Sequence, residues 1–269
     1  MINIFGDNRI TGLRGPKGED AFDLIHWAPH GVKRLFRESE QVNIYFNSAT
    51  DGIIYSEDKK PIGLRNHGLG PNANFLGKKF PDIQQIKHDN YMIKLKDSVF
   101  EIKPIQVGTS NPSTAIFLLS FKRLERELNK PRYLFSNKSG TRAMTVEERE
   151  IRGRTIGVMK IFSSGSEKEI FFPEEGDWTG ILIQYICKNG MVYCQYNTGN
   201  QQGCLEPGRL DEKEDHVLYI GGHPEKLSAN HAMGSFELYH TSEIKGNDFT
   251  LPKKMQDCLL QGILDRVDE

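Results

Sequence analysis

The stretch from Trp178 to Tyr196 constrains the fold most tightly. Trp178-Thr179-Gly180-Ile181-Leu182-Ile183-Gln184-Tyr185-Ile186-Cys187 has the length and β-branched, aromatic content of a strand, and Met191-Val192-Tyr193-Cys194-Gln195-Tyr196 returns. Between them stands Lys188-Asn189-Gly190. Asn-Gly flanked by apolar runs is the strongest short-range hairpin signal, because both turn residues must adopt positive φ. A chain with this centre must supply further strands, since a lone hairpin is marginal in water.

The same grammar recurs. Val42, Ile44 and Phe46 alternate with Asn43, Tyr45 and Asn47. Ile53-Ile54-Tyr55, Tyr91 to Leu95, Val99 to Ile102, Ala115 to Phe121, Arg132 to Phe135, Gly157 to Phe162, Glu169 to Phe172, His216 to Ile220 and Gly234 to Tyr239 all read as short strands. Many short strands with Gly/Asn turns between them indicate a β-sandwich. Pro61 to Pro81 reads as a loop, and Leu124–Leu128 and Val146–Arg149 as single helical turns. Pro252 to Val267 is the clearest helix, with Met255, Leu259 and Ile263 stepping by four.

Residues 12–20 form three consecutive Gly-X-Y triplets on Gly12, Gly15 and Gly18, and the run stops at Ala21. Only Gly fits the axis of a collagen triple helix, so this stretch predicts either the stub of a collagen-like stem or a Gly-rich surface loop. In residues 21–40, Val32, Leu35 and Phe36 make a short amphipathic stripe after Pro29, either a trimerising neck or a helix packed on its own head. The expected organisation is therefore a stem over 1–20, a neck over 21–40 and a sandwich head over 41–269, with a homotrimer as the partner state.

The order of motifs over residues 110–265 resembles a laminin G-like domain of the concanavalin A-like lectin jelly-roll superfamily. Gly176-Asp177-Trp178 opens an apolar strand, and Val192-Tyr193 lies in the hairpin. Leu218-Tyr219-Ile220-Gly221-Gly222 follows, then Gly234-Ser235-Phe236-Glu237-Leu238-Tyr239 and a Leu-rich helix. Thr179 and the Cys-bearing hairpin depart from that pattern. The resemblance implies a mainly β fold, an antiparallel jelly-roll sandwich with a C-terminal helix, and residues 42–105 completing it. A TNF-like jelly-roll, the other head common on collagen stems, is shorter than the span 41–269. The resemblance also implies a C-terminal disulfide, which Cys204–Cys258 would supply, against the alternative of free thiols. It implies a calcium site at a sandwich rim, for which Asp211 and Asp215, beside Glu212 and Glu214, are the candidates; a solvated acidic loop is the simpler reading of the same residues.

Composition narrows the function classes. Lys+Arg 35 against Asp+Glu 36 gives no overall pull toward nucleic acid or anionic lipid. No segment has the roughly 18 apolar residues of a membrane helix. Met1 to Asp7 has neither a basic n-region nor an apolar h-region, so no signal peptide is expected, although a virion or phage component reaches the outside without one. Jelly-roll glycosidases carry three carboxylates at Glu-x-Asp-x-x-Glu spacing; Glu175-Gly176-Asp177-Trp178-Thr179-Gly180 lacks the third, which argues against an enzyme of that class.

What remains is a non-catalytic recognition or adhesion module at a cell or virion surface, binding a glycan or protein receptor through rim loops. The alternative is a structural subunit of a viral or phage fibre, spike or extracellular matrix. The loops 63–80, 197–215 and 223–232 are the candidate binding elements. Within them Asn197, Asn200, Gln201, Gln202, His223, Asn230 and His231 offer the amide and imidazole groups suited to hydroxyl-rich ligands. Asn137-Lys138-Ser139 is a glycosylation sequon.

Overall fold

The structure is a computed structural model that describes residues 42–47, 52–66, 71–76, 80–87, 90–96, 98–103, 113–124, 127–172, 178–210, 217–225, 230–241, 253–265 and 267. The stem glycines Gly12, Gly15 and Gly18, the neck stripe, and Asp211 and Asp215 lie outside the described residues.

In chain order the strands are β1 (Val42–Asn47), β2 (Ile53–Tyr55), β3 (Pro61–Leu64), β4 (Ala73–Phe75), β5 (Asp82–Lys87), β6 (Asn90–Lys96), β7 (Phe100–Ile102), β8 (Ser113–Arg123) and β9 (Arg132–Asn137). They continue as β10 (Arg142–Ile151), β11 (Arg154–Ser163), β12 (Ser166–Phe172), β13 (Thr179–Lys188), β14 (Met191–Asn197), β15 (Gln202–Arg209), β16 (Leu218–Ile220) and β17 (Asn230–Thr241). One helix, α1 (Lys253–Leu264), follows. The first sheet runs β15-β14-β13-β8-β17-β6-β5, with β1 also paired to β17; the second runs β12-β11-β10-β9-β16-β7-β4-β3-β2. The chain shuttles between the sheets, and the ladders are antiparallel throughout, which is the expected sandwich.

Phe117 of β8 and Phe135 of β9 tie the two sheets together, their rings stacked 4.1 Å apart. Tyr185 of β13 stands edge-on to both, and its hydroxyl donates to the Phe162 carbonyl at 2.9 Å. Offset and edge-to-face contacts of this kind add to the burial of the rings. Phe117, Leu119, Phe121, Ile181, Ile183 and Tyr185 face this core.

Ile116, Leu118, Ser120, Leu182 and Gln184, at the intervening positions, are buried as well. The first sheet is therefore covered on its outer face, which is why β8 and β13 read as continuous apolar runs and not as alternating ones. Helix α1 supplies cover at one end: a Cβ on Gly180 would stand 3.0 Å from Leu264, and one on Gly234 would stand 2.7 Å from Trp178 and Val267. Leu259, Leu260 and Ile263 are buried in the same layer.

Several local expectations need correction. Val146–Arg149 lies in the middle of β10, where Val146 is buried in the core and Arg149, on the outside, pairs with Glu147 of its own strand and with Glu169 of β12. The long-range ladder on both sides of β10 outweighs the local helical preference of Glu and Arg. Within the expected loop 61–81, β3 and β4 join the second sheet. Of the loop 197–215, Gln202–Arg209 is an edge strand, and Pro207 is tolerated there because an edge leaves some amides unpaired. Cys204 is a free, exposed thiol on that edge, whereas α1 packs on β13, β8 and β17, so the Cys204–Cys258 bridge is not formed.

The Asn189-Gly190 turn is as the dipeptide demands, with φ of 54° and 70°. Arg152-Gly153 and Ser164-Gly165 close β10–β11 and β11–β12 with the same paired positive φ.

Candidate functional site

The β14–β15 hairpin ends in a four-residue tip, 198–201, fixed from three directions. Within the tip, the Thr198 amide donates to the Gln201 carbonyl at 2.8 Å, and the Gln201 amide donates to Thr198 Oγ1 at 3.0 Å. Asn197 Oδ1 accepts the Gly199 amide at 2.7 Å, an Asx-type turn that Gly199 permits at φ +83°. On the helix side, Asn197 Nδ2 donates to Asp257 Oδ1 of α1 at 2.8 Å. On the second-sheet side, Gln201 Nε2 donates to the Phe171 carbonyl of β12 at 3.2 Å. The tip thus bridges the helix layer and the edge of the opposite sheet.

Asn200, Gln201 and Gln202 are exposed. Among the described residues the side chains of Asn200 and Gln202 accept and donate no hydrogen bond, and Gln201 keeps its Oε1 for a further donor. Each unfilled amide offers two donors and an acceptor with two lone pairs. The tip from Asn197 to Gln202 contains no titratable side chain.

Beside it, the outer face of β10, β11 and β12 carries an ion-pair network. Arg149 grips Glu169 with both guanidinium nitrogens, at 3.0 and 2.9 Å, and also pairs with Glu147. Lys160 pairs with Glu167 and Glu169, each at 3.2 Å. The hydrogen bonds from Arg149 hold the Glu169 carboxyl below the usual range, against a smaller opposing effect of burial.

The other predicted ligand residues fall elsewhere. Asn197 is buried and its amide is consumed by Gly199 and Asp257. His223 is buried between Tyr133 and Tyr219. Its Nδ1 accepts the Glu225 amide at 3.1 Å, so the proton sits on Nε2, which donates to the Lys138 carbonyl at 2.9 Å. This neutral ring clamps the 137–141 turn to the residues after Gly222. His231 is buried with its ring 6.0 Å from Phe121, and Asn230 is buried beside it.

Register separates these from the tip. Asn197 aligns through Leu182 with Leu118, while His231 aligns with Arg123. That offset is roughly 17 Å along the strands, and β13 and β8 add roughly 14 Å across them. Four of the seven residues are therefore buried, whereas Asn200, Gln201 and Gln202 are exposed.

The sequon asparagine is turned into the fold. Asn137 is buried, its Nδ2 donating to Thr141 Oγ1 and its Oδ1 accepting the Arg142 amide, both at 2.9 Å. Among the described residues no group of three or more His, Cys, Asp or Glu is placed to hold a metal ion. Sequence reasoning missed Phe171 and Asp257 as the anchors of the tip, because nothing local links positions thirty and sixty residues apart.

These features define the class: an antiparallel two-sheet sandwich with a helix on one outer face and a pinned polar hairpin tip at its edge. No protein-family model matches the chain, and no curated protein matches it. Among solved structures it is similar in arrangement to the binding domain of botulinum neurotoxin serotype D, at 9% identity and a TM-score of 0.46 over 83% of this chain and 51% of that one. It is similar also to the receptor-binding domain of the mosaic serotype C/D toxin (10%, TM-score 0.46, 83% and 51%) and to the serotype C1 binding domain (11%, TM-score 0.43, 80% and 52%). The chain spans about half the length of these structures.

Proposed function

We propose that this chain is a non-catalytic recognition module that engages a glycan or a protein receptor through the 198–202 tip. The observation that carries the reading is the combination of rigidity and unfilled valence: the backbone and anchors of the tip are satisfied, while the Asn200 and Gln202 amides and Gln201 Oε1 face solvent. Groups held in place before binding lose little conformational entropy on binding. Because the tip carries no ionisable group, its binding is expected to vary little with pH.

The Gly12, Gly15 and Gly18 triplets support a trimeric arrangement on a stem, which would multiply weak contacts by effective concentration. A surface location, on a cell or a virion, goes with that role. The same triplets favour a second reading, a fibre, spike or matrix subunit.

A glycan array probed with the whole chain, and with an Asn200→Ala/Gln202→Ala variant, tests the recognition reading. Selective retention that the double variant loses is expected. Retention unchanged in the double variant removes the tip from the mechanism.

A further inference from the structure

The register of the first sheet continues the tip onto a surface. Val192, Cys194, Tyr196 and Leu205 face the core. Strand alternation therefore sends Tyr193 and Gln195 of β14, and Gln202 and Cys204 of β15, to the opposite, helix-side face. Gln195 stands opposite Cys204, and Asn197 opposite Gln202. A bulge in β15 sets both Glu206 and Pro207 against Tyr193. Helix α1 packs on β13, β8 and β17, and its Asp257 meets Asn197 at the border of β14. Past that border the face is open: Tyr193 is 41% exposed, Gln202 and Cys204 are exposed, and Gln195 is half-buried. These four side chains share one strip. From the Gln202 row to the Tyr193 row it runs roughly 13 Å, longer than a single sugar ring.

The chemistry of the strip selects its ligand. The backbone of β14 is paired to β13 on one side and to β15 on the other, so a ligand on this face bonds to side chains. Among the described residues the Gln195 and Gln202 amides and the Tyr193 hydroxyl make no hydrogen bond. Each amide offers two donors and an acceptor, and Tyr193 adds an aromatic face with a hydroxyl at its edge. The cross-strand rows are Leu182-Asn197-Gln202, Gln184-Gln195-Cys204, and Ile186-Tyr193 with Glu206 and Pro207. Of these residues only Glu206 is charged, so a carboxylate or sulfate laid here meets repulsion and no cation. An uncharged chain of sugars, with apolar C–H faces and hydroxyl rims, matches both the ring and the amides.

We infer that Gln202, Gln195 and Tyr193 form a subsite for an uncharged oligosaccharide laid along β14 and β15, the tyrosine ring stacking on a sugar face and the amides bonding hydroxyls. Cys204 lies under its middle. The inference rests on the recognition reading above, with which it shares Gln202, and it extends the contact from the tip onto the sheet.

The position of Cys204 makes the test local. The whole chain is titrated with maltotetraose, cellotetraose, chitotetraose and lacto-N-tetraose by calorimetry and saturation-transfer NMR, with sialylated lacto-N-tetraose as the charged comparator. At least one neutral probe is expected to bind, more tightly than its monosaccharide and than the comparator. Saturation with that probe is expected to slow alkylation of Cys204 by iodoacetamide several-fold. Tyr193→Ala and Gln195→Ala are each expected to weaken binding by on the order of tenfold, and Tyr193→Phe to retain it. Far-UV circular dichroism and melting check each variant, and the Cys204 measurement decides on the unaltered chain if a variant does not fold.

Binding unchanged in both Tyr193→Ala and Gln195→Ala overturns the strip, as does Cys204 alkylated at the same rate in the saturated chain. Loss of that binding in Asn200→Ala/Gln202→Ala then leaves the tip reading standing, and no loss removes both. Binding of none of the neutral probes at millimolar concentration, or preference for the charged comparator, also overturns the strip; the glycan array on the double variant decides the tip reading separately.

Discussion

At the scale of single residues, chemistry and burial pull the same residue type in two directions. Asn197, Asn200, Gln201 and Gln202 are alike in sequence, yet Asn197 spends its amide on Gly199 and Asp257 while its neighbours reach solvent. Asn197→Ala is expected to cost about 1–3 kcal/mol, since it removes two part-buried hydrogen bonds, one to the Gly199 amide and one to the Asp257 carboxylate; the midpoint of urea unfolding measures this. Asn200→Ala is expected to leave that midpoint within about 0.5 kcal/mol. The cysteines divide in the same way. Burial pushes the Cys194 thiol up to about 12, with smaller opposing help from Ser163, whereas Cys204 is exposed. Alkylation at pH 8 followed by peptide mass spectrometry is expected to modify Cys204 in the native protein and Cys194 only after denaturation.

At the scale of elements, β10, β11 and β12 form the part of the second sheet farthest from β2 and carry an ion-pair network on their outer face. The alternation along β10 sends Val146 inward and Glu147 and Arg149 outward, so a stretch with a local helical preference becomes a strand whose charges pair across the ladder. The pH consequence has a definite sign. The folded-state Glu169 carboxyl lies below its unfolded value because Arg149 bonds its ionised form. Its stabilisation is therefore present above the ordinary glutamate range, near ~4.3, and is lost as pH falls through the depressed folded value. Glu169→Gln is expected to lower stability at neutral pH and to shallow the acid side of the stability curve. Chemical denaturation at a series of pH values compares the two proteins, and parallel curves would deny Glu169 this role.

At the scale of the whole molecule, the helix and the second sheet meet through the hairpin tip, since Asn197 reaches α1 and Gln201 reaches β12. The tip is thus supported by the sandwich and does not hang free of it. The proposed stem and trimer belong to the same scale. Sedimentation of the entire chain at micromolar concentration is expected to give three protomers, and a monomer there sinks the trimer. Calorimetry with Ca²⁺, repeated on Asp211→Ala and Asp215→Ala, assigns or removes the rim calcium site.

The sequence by itself determined the elements whose cause is local. Asn189-Gly190 demanded a hairpin, the four-residue step of Leu259 and Ile263 demanded a helix, and many short strands separated by Gly/Asn turns pointed to a sandwich. The tertiary structure alone decided which polar residues are presented. Hydrogen bonds from Asn197 to Asp257, from Gln201 to Phe171 and from His223 to Lys138 span thirty to eighty-five positions in the chain. Whether an amide faces a ligand or closes a core depends on what the fold brings against it, and no pattern within a strand or a turn encodes that.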